Sequence, residues 1–261
     1  MKYDIIVIDS GCGNFQTSYV QPMSLSSSTD VYDNVGHGSS VINIIHEMVP
    51  NAKILSIKIT DDYENIPVEN LIKVLKYIYE SEIACNLINI SMGITILNKY
   101  TELLSCVEAL YKKGVVIVSA YDNSGFISYP AAFNNVIGVD CSKKCRNNTD
   151  YIVLENSYVN ILGTSSYFRT VNHNNEKIIV KGTSYTTATV SAMILRCISD
   201  NCMNNISFES IMNSMRKESI AVGIVEKATD AFFTGTKFVD NIKNAVVFPF
   251  NKEIHSIAKF E

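Results

Sequence analysis

Three side chains in this sequence could between them move a proton and attack a carbonyl: Asp9, His37 and Ser184. In such a set the carboxylate orients the imidazole, the imidazole takes the hydroxyl proton, and the oxygen becomes a nucleophile. Asp9 ends the apolar run Ile5-Ile6-Val7-Ile8 and precedes Ser10-Gly11; an aspartate before glycine is also ordinary turn chemistry. His37 lies between Gly36 and Gly38, just ahead of a helical pattern. The two glycines give the ring backbone clearance, although an exposed loop histidine would look the same. Ser184 belongs to Lys181-Gly182-Thr183-Ser184-Tyr185-Thr186-Thr187-Ala188, a small-residue turn leading into a long apolar helix. Free N–H groups and the helix dipole favour negative charge there. A serine that merely caps the helix would sit there too. Each signal is weak alone.

The elements that must position these residues follow from periodicity. Ile5–Ile8, Ile54–Ile59, Leu87–Ile90, Val115–Val118 and Val136–Val139 are short, continuous apolar runs. Such runs suit strands buried on both faces, as in a parallel sheet. Helical patterns alternate with them at Val41–Met48, Val68–Tyr79 and Leu103–Tyr111, the second carrying Leu71, Val74, Leu75 and Ile78 as an i, i+3, i+4, i+7 stripe. Strand and helix in alternation predict an α/β, doubly wound, mostly parallel sheet with helices on both faces. In such a sheet the site lies at the carboxyl ends of the strands, which is where Asp9 falls. Beyond Val139 the sequence turns polar and Asn-rich, with strand candidates at Tyr151–Leu154 and Lys177–Val180. Helices are expected at Thr186–Ser199 and at Phe208–Met215, the latter N-capped by Ser207, and the tail from Lys243 to Phe260 reads as strand-like. Without a linker or an abrupt change of charge, residues 1–261 are expected to form one domain, with a divergent tail from about 225.

Taken together, the order Asp–His–Ser and the local contexts resemble the subtilase family of subtilisin-like serine proteases. Ile5-Ile6-Val7-Ile8-Asp9-Ser10-Gly11 looks like the family's aspartate motif, His37-Gly38-Ser39-Ser40-Val41 its histidine motif, and Gly182-Thr183-Ser184 its nucleophile motif. Asn89-Ile90-Ser91-Met92-Gly93 resembles the strand that pairs with an extended substrate. Val116-Ile117-Val118-Ser119-Ala120-Tyr121-Asp122-Asn123-Ser124-Gly125 resembles the oxyanion-hole segment, and Ser128-Tyr129-Pro130-Ala131 follows as in the family. The similarity runs over residues 3 to 200. It implies Ser184 as nucleophile, His37 as general base and acid, Asp9 as its orienting carboxylate, and Asn123 as oxyanion donor. It implies Ser91, Met92, Gly93, Tyr121 and Asp122 as substrate-binding residues, with no metal or organic cofactor.

The sequence also departs from the family. Ala188 and Thr189 replace the usual proline and histidine after the nucleophile, and Tyr121 and Asp122 replace small residues before Asn123. At those positions Tyr121 would narrow the pocket for the residue before the scissile bond and Asp122 would make it acidic, unless both point into the fold or solvent. Asp61, Asp62 and Glu64 cluster on one loop, but without the spacing of a calcium loop they read as surface charge. His46 is expected to pack or to lie at the surface, and His173 has no evident partner. The tail around Phe248-Pro249-Phe250 would pack, cover the cleft or mediate association.

Composition narrows the role. The chain carries a net charge of −4 with scattered basic residues, which argues against nucleic acid as a partner. No apolar run approaches the roughly 20 residues of a membrane span, so no membrane partner is expected. Seven cysteines at irregular spacings, with no signal segment before the first strand, read as free thiols in a reducing cytoplasm. Neither Cys141/Cys145 nor Cys197/Cys202 has the C-x-x-C spacing of a zinc knuckle. The expectation is a minimal cytoplasmic protease of narrow specificity that acts on a peptide or precursor protein, such as a leader peptide. Homo-oligomer formation is left open. Two rivals stand beside it: a catalytically silent subtilase-fold scaffold that binds peptides, and a cysteine enzyme built on Cys12 beside Asp9.

Overall fold

The computed structural model describes residues 2–62, 66–81, 83–95, 98–200, 203, 206–227, 245–250 and 253–260. Its centre is a sheet of strands β1 (Lys2–Asp9), β2 (Val20–Ser24), β3 (Ile54–Lys58), β4 (Ala84–Ile90), β5 (Val116–Ala120), β6 (Val136–Ser142), β7 (Ile152–Glu155), β8 (Ile161–Thr164), β11 (Ala221–Lys227), β12 (Ala245–Phe250) and β13 (Glu253–Phe260). Two further strands, β9 (Phe168–Val171) and β10 (Lys177–Val180), form a separate antiparallel hairpin. The main sheet is ordered β12-β13-β11-β7-β8-β6-β5-β4-β1-β3-β2. From β2 through β6 to β8 every pairing is parallel. Antiparallel pairs occur only toward the other edge, at β7/β8, β11/β13 and β12/β13.

The continuous apolar runs are explained by the period of two. In β1, Ile5 and Val7 face a layer containing α1 (His37–Met48), α4 (Thr183–Asp200) and α5 (Phe208–Glu218), where Val41, Ile42, Ile45, Val190 and Ile194 are buried. Ile6 and Ile8 face the opposite layer, α2 (Val68–Glu80) and α3 (Tyr100–Lys112), against Leu71, Leu75, Leu103 and Val107. Burial of each such side chain contributes roughly 1.5–3 kcal/mol, so both faces of β1 specify its register.

From β1 the chain runs to the edge strand β2, comes back through α1 to β3 on that same side, and then crosses through α2 to β4 on the other side of β1. The carboxyl end of β1 therefore lies where the connections diverge, and a crevice opens there. Ile5 pairs with Ile54 and with Leu87, which brings Asp9 level with Lys58 and Ile8 level with Ile90, so that Asp9 and Ser91 follow in step.

Several elements differ from the sequence expectation. α1 and α4 begin three to four residues earlier than periodicity suggested, so that His37 and Ser184 lie in the first turn of their helices. β2 was hidden by Gln21 and Pro22; it is an edge strand, where a proline costs no central ladder bond. β8 and β9 each carry two strongly apolar residues, against three in a row in β7 and a run of Ile178, Ile179 and Val180 in β10, strands of the same length that the sequence did reveal. The expected Ser207 cap is present: Ser207 Oγ accepts the Ser210 N–H at 3.1 Å, and the Ser207 N–H returns a bond to Ser210 Oγ at 2.9 Å. The strand-like tail forms β12 and β13, at the far edge of the sheet from β1.

Candidate active site

Asp9 is the last residue of β1 and His37 the first of α1. Their side chains meet: His37 Nδ1 lies 2.9 Å from Asp9 Oδ1. Asp9 is fully buried, while the imidazole keeps a partly exposed edge. The approach is close because of Gly38. A Cβ at that position would sit 2.3 Å from the Gly11 carbonyl oxygen and 3.2 Å from Asp9 Oδ1, so any side chain there would lift α1 off the Asp9 turn.

Ser184 occupies the second position of α4 and is 7 % exposed. Its Oγ donates to the Ser91 carbonyl at 2.8 Å, and Ser91 Oγ donates back to the Ser184 carbonyl at 3.1 Å. A buried polar chain supports this exchange: Asn89 Nδ2 donates to Ser91 Oγ at 2.8 Å, and Ser191 Oγ to Asn89 Oδ1 at 2.9 Å. The head of α4 is thereby fixed to the end of β4. Tyr185, the next residue, lays its ring against His37 with centroids 5.2 Å apart. Burial, then the charges of Asp9 and Asp33, push the Tyr185 phenol up to about 12; it stays protonated at neutral pH.

Asn123 follows β5 and is exposed. Its Oδ1 accepts the Thr183 N–H at 3.0 Å and lies 3.2 Å from Thr183 Oγ1. A backbone N–H must face the amide's oxygen, so the donor end of Asn123 is the one left for a ligand. It stands beside Gly182, one residue before the head of α4.

Ser91, Met92 and Gly93 form one wall of a cleft of about 550 Å³, and Tyr121, Asp122 and Asn123 the other, with Thr183 and Ser184 between them. Ile66 and Pro67 also line it. The walls are joined below: Ile94 and Tyr129 exchange backbone hydrogen bonds, and the Asp122 N–H donates to Ser128 Oγ at 2.9 Å. The Tyr121 ring does not narrow the cleft. It is 3 % exposed, and its hydroxyl donates to the Tyr158 carbonyl at 2.8 Å inside the fold. Asp122 bends back, its Oδ1 accepting the Ser124 N–H at 2.8 Å. A larger groove of about 830 Å³, lined by Tyr100, Tyr129, Phe133 and Tyr158, contains none of the expected residues.

Sequence reasoning overlooked Asp33. It is 2 % exposed, and its carboxylate receives hydrogen bonds from Ser10 Oγ, Val35 N, Gly36 N, Ser39 N and Ser39 Oγ at 2.7–2.9 Å. The aspartate four residues before the histidine was a signal that could have found it. His173, for which no partner was foreseen, comes from the β9/β10 hairpin to lie against Gly36. His46 stacks on Tyr19 at 3.7 Å between centroids, the packing role expected of it. Asp61 is engaged by the fully buried Lys58 ammonium at 2.6 Å, and Glu64 lies outside the described residues. Cys12 is fully buried, and burial with the Asp33 charge pushes its thiol up to about 11, which removes the thiolate a cysteine enzyme needs. Cys202 lies outside the described residues, and among those described no three His, Cys, Asp or Glu gather as metal ligands. None of the described helices is long and apolar enough to cross a membrane.

Comparison with known proteins points the same way. A family model described as the subtilase family matches residues 26–241. That match takes in His37, Asn123 and Ser184 but begins after Asp9. No curated protein sequence matches. Among solved structures, a lanthipeptide protease is similar at a TM-score of 0.68 and 15% identity, covering 83% of this chain and 80% of that one. An epidermin leader peptide processing serine protease from Staphylococcus aureus is similar at 0.67 and 17% identity, with coverages of 82% and 69%. A cold adapted subtilisin-like serine proteinase gives 0.66 and 17%, with 82% and 81%. At these identities the likeness is one of fold.

Proposed function

The chain belongs to the subtilase family and is a serine peptidase; from that premise we propose that Asp9, His37 and Ser184 are its catalytic triad and Asn123 its oxyanion donor. The observation that carries the reading is the hydrogen bond between His37 Nδ1 and the buried Asp9, made beside the helix head that holds Ser184. Asp9 orients the imidazole so that its other ring nitrogen, Nε2, serves as the base. The reaction requires the Ser184 hydroxyl to turn from the Ser91 carbonyl toward His37, which takes the proton as Oγ attacks the substrate carbonyl. The oxyanion that forms is met by the Asn123 amide and the N–H groups at the head of α4. His37 then passes its proton to the leaving amine, and water repeats the sequence on the acyl-enzyme.

The substrate is a peptide or precursor protein held extended against Ser91–Gly93, with Asp122 at the opposite wall. We read the protein as a cytoplasmic processing protease of narrow specificity, in the manner of a leader-peptide peptidase. In support, two of the similar structures carry leader-peptide processing or lanthipeptide proteolysis in their descriptions. Free cysteines are in keeping with a reducing compartment. The same reading takes residues 1–261 as one peptidase domain, in keeping with a single sheet that runs from β2 to β12. Steady digestion of casein would sink the narrow-specificity part of it.

The test of the chemistry is intact-mass analysis after treatment with a fluorophosphonate. Wild type is expected to gain the mass of one phosphonyl adduct and Ser184→Ala none. One alternative has an observation behind it. The bond from Ser184 Oγ to the Ser91 carbonyl would also suit a silent peptide-binding scaffold, and an unlabelled, folded wild type would select that reading.

A further inference from the structure

We propose that Asp33 is the positioning residue of this site, a second buried carboxylate that holds both ends of the Asp9–His37 pair in place. The proposal rests on the triad reading for its catalytic consequence and on the structure for its geometry.

The need for such a residue comes from the start of α1. The N-cap is Gly36, which has no side chain to accept the orphan N–H groups of the first turn. Asp33 and Ser10 supply those acceptors from outside the helix. Asp33 Oδ2 takes the Ser39 N–H at 2.8 Å, and Ser10 Oγ takes the Gly38 N–H at 2.9 Å. The other oxygen, Oδ1, gathers the turn before the helix, accepting from Val35 N at 2.9 Å and Gly36 N at 2.8 Å. It also accepts from Ser10 Oγ at 2.9 Å, and the Ser10 N–H in turn donates to Asp9 Oδ1 at 2.8 Å. The strand end carrying Asp9 and the helix turn carrying His37 are thus tied to one carboxylate. A second bridge, Gln16, accepts the Gly13 N–H at 2.8 Å and donates to the Ser39 carbonyl at 2.9 Å, but it reaches neither the Asp9 carboxylate nor the turn before His37.

Asparagine cannot replace it. The N–H groups of Val35 and Gly36 on one side and of Ser39 on the other are all obligate donors. An amide offers an acceptor to one side and confronts the other with its NH₂. Asp33→Asn therefore releases either the turn before His37 or the first turn of α1, with almost no change in volume.

The test compares wild type, Asp33→Asn and, as a control for charge, Asp30→Asn in the same loop. The first readout is the downfield proton of His37 Nδ1 in the ¹H NMR spectrum, assigned by its absence in His37→Gln. It is expected in wild type and Asp30→Asn, and broadened or lost in Asp33→Asn. The second is inactivation by a fluorophosphonate. The maximal rate should fall on the order of 10- to 100-fold in Asp33→Asn, as for a displacement of about 1 Å at a reacting group, with the half-saturating probe concentration unchanged. If Asp33→Asn does not fold, Ser10→Ala, which removes the link to Asp33, the acceptor for Gly38 and a long 3.3 Å contact to Asp9 Oδ1 while keeping the Ser10 N–H bond to Asp9, carries the same two expectations at smaller size. A folded Asp33→Asn that keeps the resonance and reacts within about twofold of wild type overturns the proposal. So does a wild type that lacks the resonance. A wild type that shows the resonance but takes no label overturns the triad reading alone, and the resonance in Asp33→Asn still decides the role of Asp33.

Discussion

At the scale of single residues, the site depends on which atoms are left to act once the rest are committed. Asn123 has its oxygen held by the buried Thr183 N–H, so replacing it with alanine removes the donor end and also takes the acceptor from that N–H. Loss of one such donor costs about 3–4 kcal/mol. Asn123→Ala should slow turnover of a peptide substrate on the order of 10²- to 10³-fold while leaving KM within a few-fold, as steady-state kinetics would read. The cysteines follow the opposite logic. Burial pushes Cys12, Cys141 and Cys145 up to about 11 and Cys85 up to about 12. A raised thiol pKa leaves little thiolate below it, so at pH 8 these groups should alkylate with iodoacetamide far more slowly than in guanidinium-unfolded protein. Reactivity should climb only as pH approaches 11. Fast labelling of Cys12 in the folded protein at pH 8 would contradict the burial described for it, and Cys12→Ala should keep full reactivity toward fluorophosphonate.

At the scale of elements, the cleft is a matter of how closely backbones approach. Gly93 on one wall faces Ser128 beneath it: a Cβ there would lie 2.6 Å from Ser128 Oγ and 3.1 Å from the Asp122 nitrogen. The serine hydroxyl can swing aside, but the Ser128 Cβ, 2.9 Å away, and the Asp122 backbone cannot. Gly93→Ala should therefore spread the two walls and lower kcat/KM for peptides by at least tenfold, with a much smaller effect on inactivation by a small fluorophosphonate that does not span the walls. Equal losses for both would mean that the substitution disturbs Ser184 itself. The elements missed in the sequence have a common cause. β2, β8 and β9 are short or polar, and each is a strand because a neighbour completes its hydrogen bonds, not because its own residues demand it.

At the scale of the whole molecule, the loops that rim the carboxyl edge of the sheet are joined by charge. Lys58 is fully buried at the end of β3; its ammonium donates to the Tyr32 carbonyl and pairs with Asp61, with Asp30 at 3.9 Å. Because Asp61 is more than a third exposed, water can take over its half of the pair, which reduces the cost of breaking it. Lys58→Met should destabilise the fold by about 1–3 kcal/mol, chiefly through the Tyr32 carbonyl left without a donor. A melting curve would show a drop of a few degrees, and an unchanged curve would contradict the role given to Lys58.

The sequence by itself determined the alternation of strand and helix, the two-faced burial of β1, and the residue types of a serine peptidase in their order along the chain. These are legible because periodicity and short motifs are local properties. It did not disclose that Tyr121 reaches the Tyr158 carbonyl inside the fold, that Asn89 and Ser191 brace the head of α4, or that Asp33 ties the Asp9 turn to α1. Those contacts join residues up to about a hundred positions apart, and an exposed turn aspartate and a buried one are written with the same letter. Only tertiary structure decided between them, because burial and the direction of a donor are fixed by which backbones the sheet brings together.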